Sequence, residues 1–258
     1  MSATEDPLRH RPGFLAGLLS AVSFFTRLPV YPRARAAPQL AASAWAFPLA
    51  GAVVGAVGAL VFLLSQLIGL GRWPAALSSV LAGVFLTGAL HEDGLADTAD
   101  ALFGGHDRNA KLAIMRDSRH GTFGVLAIVF SVALRAAALA AIGDLIHAGL
   151  ALFAAHAASR ATLPVVMRAL VPARSDGLGV TAGTPSLPNV VASVAIGILI
   201  ALVALGPTRG AIALCLTGLS VFATACVAHR QIGGYSGDIL GAIQQIGEIV
   251  MLLAASAR

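Results

Sequence analysis

The run His91-Glu92-Asp93-Gly94-Leu95-Ala96-Asp97-Thr98-Ala99-Asp100 sets four carboxylates against the end of a long apolar segment, in a chain with only 12 Asp and Glu among 258 residues. Asp93, Asp97 and Asp100 follow an i, i+4, i+7 spacing, so a helix through them would carry all three on one face. Like charges so placed repel unless a cation compensates them, and hard carboxylate oxygens suit Mg²⁺ or Mn²⁺. The spacing therefore predicts a divalent-metal site, against the alternative of a solvated acidic loop. Glu92 and His91 adjoin the run without a spacing that makes them ligands. His91 is open to two readings, a general base or a hydrogen-bonding residue at a membrane boundary.

The stretch from Arg108 to His120 mixes Lys111, Arg116, Asp117, Arg119 and His120 with Leu112, Ala113, Ile114 and Met115, the pattern of an amphipathic helix. Arg116 and Arg119 stand three apart, a spacing that suits a guanidinium clamp on phosphate or diphosphate and equally suits snorkelling to lipid headgroups. Arg135, Arg160 and Glu248 fall inside apolar segments, where charged side chains face a polar interior or pair with one another. Asp238 sits in the Gly-rich block from Gly233 to Ala242, whose backbone can approach a ligand closely. Gln244 and Glu248 are four apart and share a helix face. Asp176 lies in Arg174-Ser175-Asp176-Gly177-Leu178-Gly179, either a loop that closes over a substrate or a plain connector.

These residues must be positioned by membrane helices. Hydrophobic residues form 57% of the chain and charged ones 11%, with a mean hydropathy of +0.85, which excludes a water-soluble domain. In hydrocarbon the backbone must bond to itself, so an all-α, polytopic helix bundle is expected. Hydropathy places seven spans, near Ala44–Leu70, Trp73–Leu90, Gly121–Ile142, Leu145–Leu170, Asn189–Leu205, Gly210–Ala228 and Gly237–Ala255. Phe14–Leu28 is short and runs into Pro29 and Pro32, so an interfacial or half-inserted helix is expected there. Met1–Arg11 lacks the apolar core and cleavage site of a removable signal peptide. Cys215 and Cys226 share one apolar stretch, where helical geometry opposes a disulfide. Gly51, Gly55 and Gly58 are spaced for close helix packing.

With a cytoplasmic amino terminus, Arg9, Arg11, Arg27, Arg33, Arg35, Arg108, Lys111, Arg116, Arg119, Arg168, Arg174 and Arg230 fall inside, and Arg72, Arg209 and Arg258 outside. That asymmetry obeys the positive-inside rule and predicts a multi-pass protein of the cytoplasmic (inner) membrane. The chain reads as one membrane-embedded domain, 1–258, with an acidic and basic active-site segment at 91–120 and a second loop at 172–188, both cytoplasmic.

At these residues the chain resembles the cobalamin synthase family. The blocks that carry the resemblance are Phe25-Thr26-Arg27-Leu28-Pro29-Val30, Asp93 to Asp100, Met115-Arg116-Asp117-Ser118-Arg119-His120-Gly121, and Gly233 to Ala242 with Glu248 following. They run in order along nearly the whole chain. Glu92 stands where the family pattern has an apolar residue, and Ser236 where Thr is common. The resemblance implies the last step of nucleotide-loop assembly: α-ribazole, or its 5′-phosphate, joins adenosylcobinamide-GDP and GMP is released, with Mg²⁺ required. It further implies metal ligation by Asp93, Asp97, Asp100, Asp238 and Glu248, with Asp93, Asp97, Asp238 and Glu248 in catalysis. Arg116, Arg119, His120, Arg160, Asp176 and Gln244 are then the expected substrate contacts. Membrane lipids and small molecules are the expected partners, not nucleic acid. Self-association and association with other corrinoid-pathway enzymes are compatible with this reading.

Two other classes fit parts of the pattern. CDP-alcohol phosphotransferases also cluster aspartates around metal in a membrane bundle, but their motif places Arg after Ala where Asp97 follows Ala96. A cation-coupled transporter would spread its acidic residues deep through several spans, whereas here they gather at one boundary.

Overall fold

The computed structural model describes residues 13–30, 40–117 and 119–257, and shows a bundle of helices. Arg9, Arg11, Arg33, Arg35 and Arg258 of the charge count, Tyr31 and Pro32 of the amino-terminal turn, and Ser118 of the basic block lie outside the described residues.

Helix α1 (Phe14–Phe25) has 12 residues, roughly 18 Å at 1.5 Å per residue and too short to cross a bilayer core of roughly 30 Å. It docks on the start of the first span: Phe14 stacks on Trp45 at 4.7 Å and Phe25 meets Phe47 edge-on at 4.8 Å. Helix α2 (Phe47–Leu67) follows a 3₁₀ turn at Ala44–Ala46. Helices α3 (Arg72–Thr87) and α4 (Leu90–Gly104) are bent 91° to each other. Helix α5 (Arg108–Ile114) is short, and α6 (Thr122–Ala141), α7 (Leu145–Ala161), α8 (Leu163–Ala169) and α9 (Leu178–Thr181) follow. The chain closes with α10 (Leu187–Leu205), α11 (Pro207–Ile232) and α12 (Gly237–Ser256).

Among the described residues six stretches are long and apolar enough to cross a membrane, with α7 and α8 together forming one of them; the bent pair α3 and α4 makes a seventh only when counted as one span. Their limits fall within a few residues of the hydropathy reading, with one informative exception. The expected span Trp73–Leu90 stops at Thr87, and the acidic run does not begin a polar connection. Gly88 and Ala89 both adopt left-handed backbone, at φ 69° and 59°. That corner turns the chain, and the acidic run continues at once as helix α4 across the end of the bundle. Arg27 braces the corner from outside, its backbone N–H donating to Leu86 O at 2.7 Å.

The stretch formed by α7 and α8 is the axis of the bundle: 78% of its apolar window is buried, against 22% for α11. It packs on α2 at the expected small-residue stripe, where a Cβ added at Gly55 would lie 2.7 Å from Leu152 O. At the end of the bundle away from α4, Arg72 donates to the carbonyls of Ile142 and Gly143, tying the α2–α3 turn to the α6–α7 turn. At the other end Pro172 pairs with Tyr235 in a single parallel bridge, and Arg108 donates to Ile232 O and Ala173 O, both at 2.8 Å. The loops after α4, α8 and α11 therefore meet on one side, and that side carries the functional residues.

Candidate active site

Asp93 and Asp97 stand one turn apart on α4, with side chains 64% and 14% exposed. His120, in the short link before α6, lies against both: its Nε2 is 3.8 Å from Asp93 Oδ1 and its Nδ1 3.6 Å from Asp97 Oδ1. One donor atom from each of the three falls within 4.8 Å of the others. His120, expected as a substrate contact, stands beside the carboxylate pair as a third metal-competent donor.

Asp238 arrives from the opposite direction, in the first turn of α12. Ser236 caps that helix by accepting from Ile239 N–H at 3.2 Å, and its hydroxyl also contacts Asp238 Oδ2 at 3.1 Å. Helices α4 and α12 cross almost backbone to backbone: a Cβ at Gly94 would lie 2.8 Å from Asp238 O. The glycine beside Asp93 thus lets the acidic run and the Gly-rich block meet, and both Asp93 and Asp238 line one cavity of ≈ 300 Å³. Phe25, Phe47, Leu163, Met167 and Tyr235 form its apolar wall, and His91, Arg174 and Asp176 share its polar lining. The volume lies at the low end for small-molecule sites.

Several expected site residues do other work. Asp100 is not a free ligand: its two oxygens accept from Gly121 N–H at 2.6 Å and Gly124 N–H at 2.8 Å, so the carboxylate caps the amino terminus of α6. Glu248 is buried with both oxygens occupied, by Arg135 Nη1 at 3.1 Å, His156 Nδ1 at 3.0 Å and Gln244 Nε2 at 2.6 Å. Arg135 also holds Glu92 at 3.0 Å. Arg160 is buried beside them, donating to His156 O at 3.1 Å and lying 5.6 Å over the Phe25 ring. None of Glu248, Gln244 or Arg160 lines the cavity. Two guanidiniums and two carboxylates cancel in the apolar interior, as the sequence argument on buried charge anticipated, and this group braces α4, α6, α7 and α12 behind the site. Glu92, a departure from the family pattern, is a working member of it.

Arg116 and Arg119 do not form a clamp. Arg116 pairs with Asp176 at 2.8 Å and Arg119 with Asp117 at 2.6 Å. Each arginine depresses its partner: Asp117 is held at about 2, and Asp176 below the usual carboxylate range. Asp176 nevertheless lines the cavity.

Sequence reasoning missed Arg174 as a site residue. Its Nη2 lies 2.6 Å from Asp238 Oδ2, inside the cavity. The available signal was its place two residues before Asp176 in a Gly-rich loop, but nothing in that loop's sequence points to α12. His91 also reaches the cavity, stacked on Phe25 at 5.6 Å, and its Nε2 is buried without a hydrogen-bond partner.

Fold and site define a polytopic membrane protein that gathers carboxylates, an imidazole and a guanidinium in a cavity at one end of its helix bundle. The sequence profile of the cobalamin-5-phosphate synthase family matches residues 17–256, and the chain belongs to that family. Relatives named adenosylcobinamide-GDP ribazoletransferase include one from Bradyrhizobium diazoefficiens, 50% identical over 94% of both chains. Another from Mesorhizobium japonicum is 46% identical over 90% of both, and one from Azorhizobium caulinodans is 43% identical over 93% of this chain and 94% of its own. No solved structure matches.

Proposed function

We propose that this chain is an adenosylcobinamide-GDP ribazoletransferase of the inner membrane, working at its cytoplasmic face. The reaction joins a hydroxyl of α-ribazole, or of its 5′-phosphate, to the corrinoid-side phosphorus of adenosylcobinamide-GDP. The phosphoanhydride bond breaks and GMP leaves. The observation that carries the reading is that Asp93 belongs both to the donor cluster with Asp97 and His120 and to the cavity that Asp238 lines, in a chain that aligns over nearly its full length with relatives of that name.

Two carboxylates and an imidazole are a fitting donor set for Mg²⁺ or Mn²⁺, with the ligand atoms already converged. Asp93, Asp97 and His120 would hold the ion, with Asp238 facing it from α12. When bound, such an ion neutralises diphosphate oxygens and the charge that develops on a departing nucleotide. Asp93, the most exposed of the acidic set, is also placed to accept the proton of the attacking hydroxyl. The apolar wall from Phe25 to Met167 offers water no hydrogen-bond partners on that side of the cavity. A cavity of ≈ 300 Å³ cannot enclose the corrin ring, so the corrinoid stays at the mouth and only the diphosphate region enters.

Orientation rests on charge placement. Arg27, Arg108, Lys111, Arg116, Arg119, Arg168, Arg174 and Arg230 sit toward the end that carries the site, and Arg72 and Arg209 toward the other, the distribution of an inward-facing site.

The test is GMP release from adenosylcobinamide-GDP and α-ribazole by protein in nanodiscs, with Mg²⁺ present. Asp93→Asn in protein that inserts and purifies normally should lose activity on the order of 100-fold or more. Full turnover by that variant at saturating Mg²⁺ removes Asp93 from the reaction.

A further inference from the structure

We propose that Arg174 is the cationic ligand of the substrate's diphosphate, and that its ion pair with Asp238 is the resting-state contact it gives up when substrate binds. The inference deepens the transferase reading above and rests on it.

The charges that line the cavity carry the argument. Among the described residues, Asp93, Asp176 and Asp238 are its carboxylates, and Arg174 is its one Lys or Arg. Arg116 and Arg119, the cations that spacing favoured, are absent from the lining and are spent on Asp176 and Asp117. A diphosphate entering a cavity with this excess of negative charge needs every positive group available. An ion held by Asp93, Asp97 and His120 would also lessen the need for Arg174 to neutralise Asp238 beside them, and would free the guanidinium for phosphate oxygens. Its planar fork suits two such oxygens at once.

The backbone beside Arg174 is built to stay while the side chain turns. Ala173 is fixed on both sides, its N–H donating to Tyr235 O at 2.8 Å and its carbonyl accepting from Arg108 Nη2 at 2.8 Å. Tyr235 N–H in turn donates to Val171 O at 3.0 Å, and Tyr235 Oη to Gly179 O at 3.0 Å. The loop root is thereby pinned to the start of α12, three residues before Asp238. Rotating the Arg174 side chain requires no loop opening.

The experiment measures two equilibria by calorimetry on the purified full chain in nanodiscs: Mg²⁺ alone, and inorganic pyrophosphate with Mg²⁺ saturating. Arg174→Gln should bind Mg²⁺ as tightly as the parent or about threefold more tightly, because Asp238 loses a competing cation. The same variant should bind pyrophosphate on the order of tenfold or more weakly, the scale of a lost charge-assisted pair. Arg174→Lys keeps a charge on Asp238 but not the fork, and should show a smaller loss, roughly threefold. The KM for adenosylcobinamide-GDP should follow the pyrophosphate series. Unchanged pyrophosphate binding in Arg174→Gln overturns the assignment, as does a parallel weakening of both equilibria with a lowered melting temperature, the mark of a merely structural latch. If Arg174→Gln does not fold, unchanged pyrophosphate binding by Arg174→Lys overturns it equally. A parent protein that neither binds pyrophosphate nor releases GMP would sink the transferase reading itself, whereas a parent that does both beside an unaffected variant sinks only the role of Arg174.

Discussion

Asp100 accepts the backbone N–H groups of Gly121 and Gly124, 21 and 24 residues further along the chain, and so joins α4 to the first turn of α6 immediately beside His120. The third aspartate of the acidic run is an anchor for the link that carries the imidazole. Asp100→Ala should therefore lower stability by about 1–3 kcal/mol, the range for losing a cap and leaving buried N–H groups unpaired. Thermal unfolding in detergent checks the loss. The Mg²⁺ concentration for half-maximal GMP release should rise by roughly tenfold or more, because Asp100 positions the link that carries His120, and an unchanged value would show that the link holds His120 without it.

Arg135 bridges Glu92 on α4 and Glu248 on α12 in an interior without water-exposed neighbours. Removing one partner strands a charge, so Glu248→Gln and Arg135→Gln should each destabilise by roughly 3–5 kcal/mol. Their combination should be less damaging than the sum, because each removes the charge that the other leaves unpaired. Strict additivity in a double-mutant cycle would show that the two residues do not act as a pair.

Gly94 is the contact point of α4 and α12. Its replacement by Ala pushes a methyl into Asp238 O at 2.8 Å, a strain of about 1–3 kcal/mol that the backbone can relieve only by moving the helices apart. Activity should fall further than stability does, since that separation parts Asp93 from Asp238. Comparing GMP release with melting temperature for Gly94→Ala gives the answer, and activity that tracks only the folded fraction would contradict it.

Arg119 is 87% exposed and engaged with Asp117, away from the cavity. Arg119→Gln should leave kcat and the KM for adenosylcobinamide-GDP within about twofold, in keeping with the small worth of exposed ion pairs. A large rise in KM would reinstate the phosphate clamp suggested by the Arg116 and Arg119 spacing.

His120→Asn tests the composition of the metal donors. Imidazole suits Mn²⁺ and later transition metals better than it suits Mg²⁺. The variant should therefore need more of either ion for half-activation and should lose more affinity for Mn²⁺ than for Mg²⁺. Equal activation curves for variant and parent would exclude His120 from the donor set.

The primary structure alone determined the medium and the secondary structure of this protein. Runs of about 20 apolar residues can be solvated only by lipid and must bond their own backbone groups, so span limits such as Leu145–Ala169 and Gly237–Ser256 were legible from hydropathy. The scarcity of acidic residues likewise marked Asp93, Asp97 and Asp238 as unusual, and charge in apolar segments marked Arg135, Arg160 and Glu248 as residues that face a polar interior or pair, without saying which. Which carboxylate serves which purpose was decided by tertiary structure. Asp93, Asp97 and Asp100 share one helical spacing, yet two face His120 while the third faces two backbone N–H groups of α6. Glu248 and Asp238 lie on one helix, ten residues apart, and end up in a buried ion network and an open cavity respectively. Periodicity reports the face of a helix, not what packs against it. That information came only with the 91° turn at Gly88 and Ala89 and the close crossing at Gly94, and with the bridge of Pro172 to Tyr235 that brings Arg174 to Asp238 across 64 residues of chain.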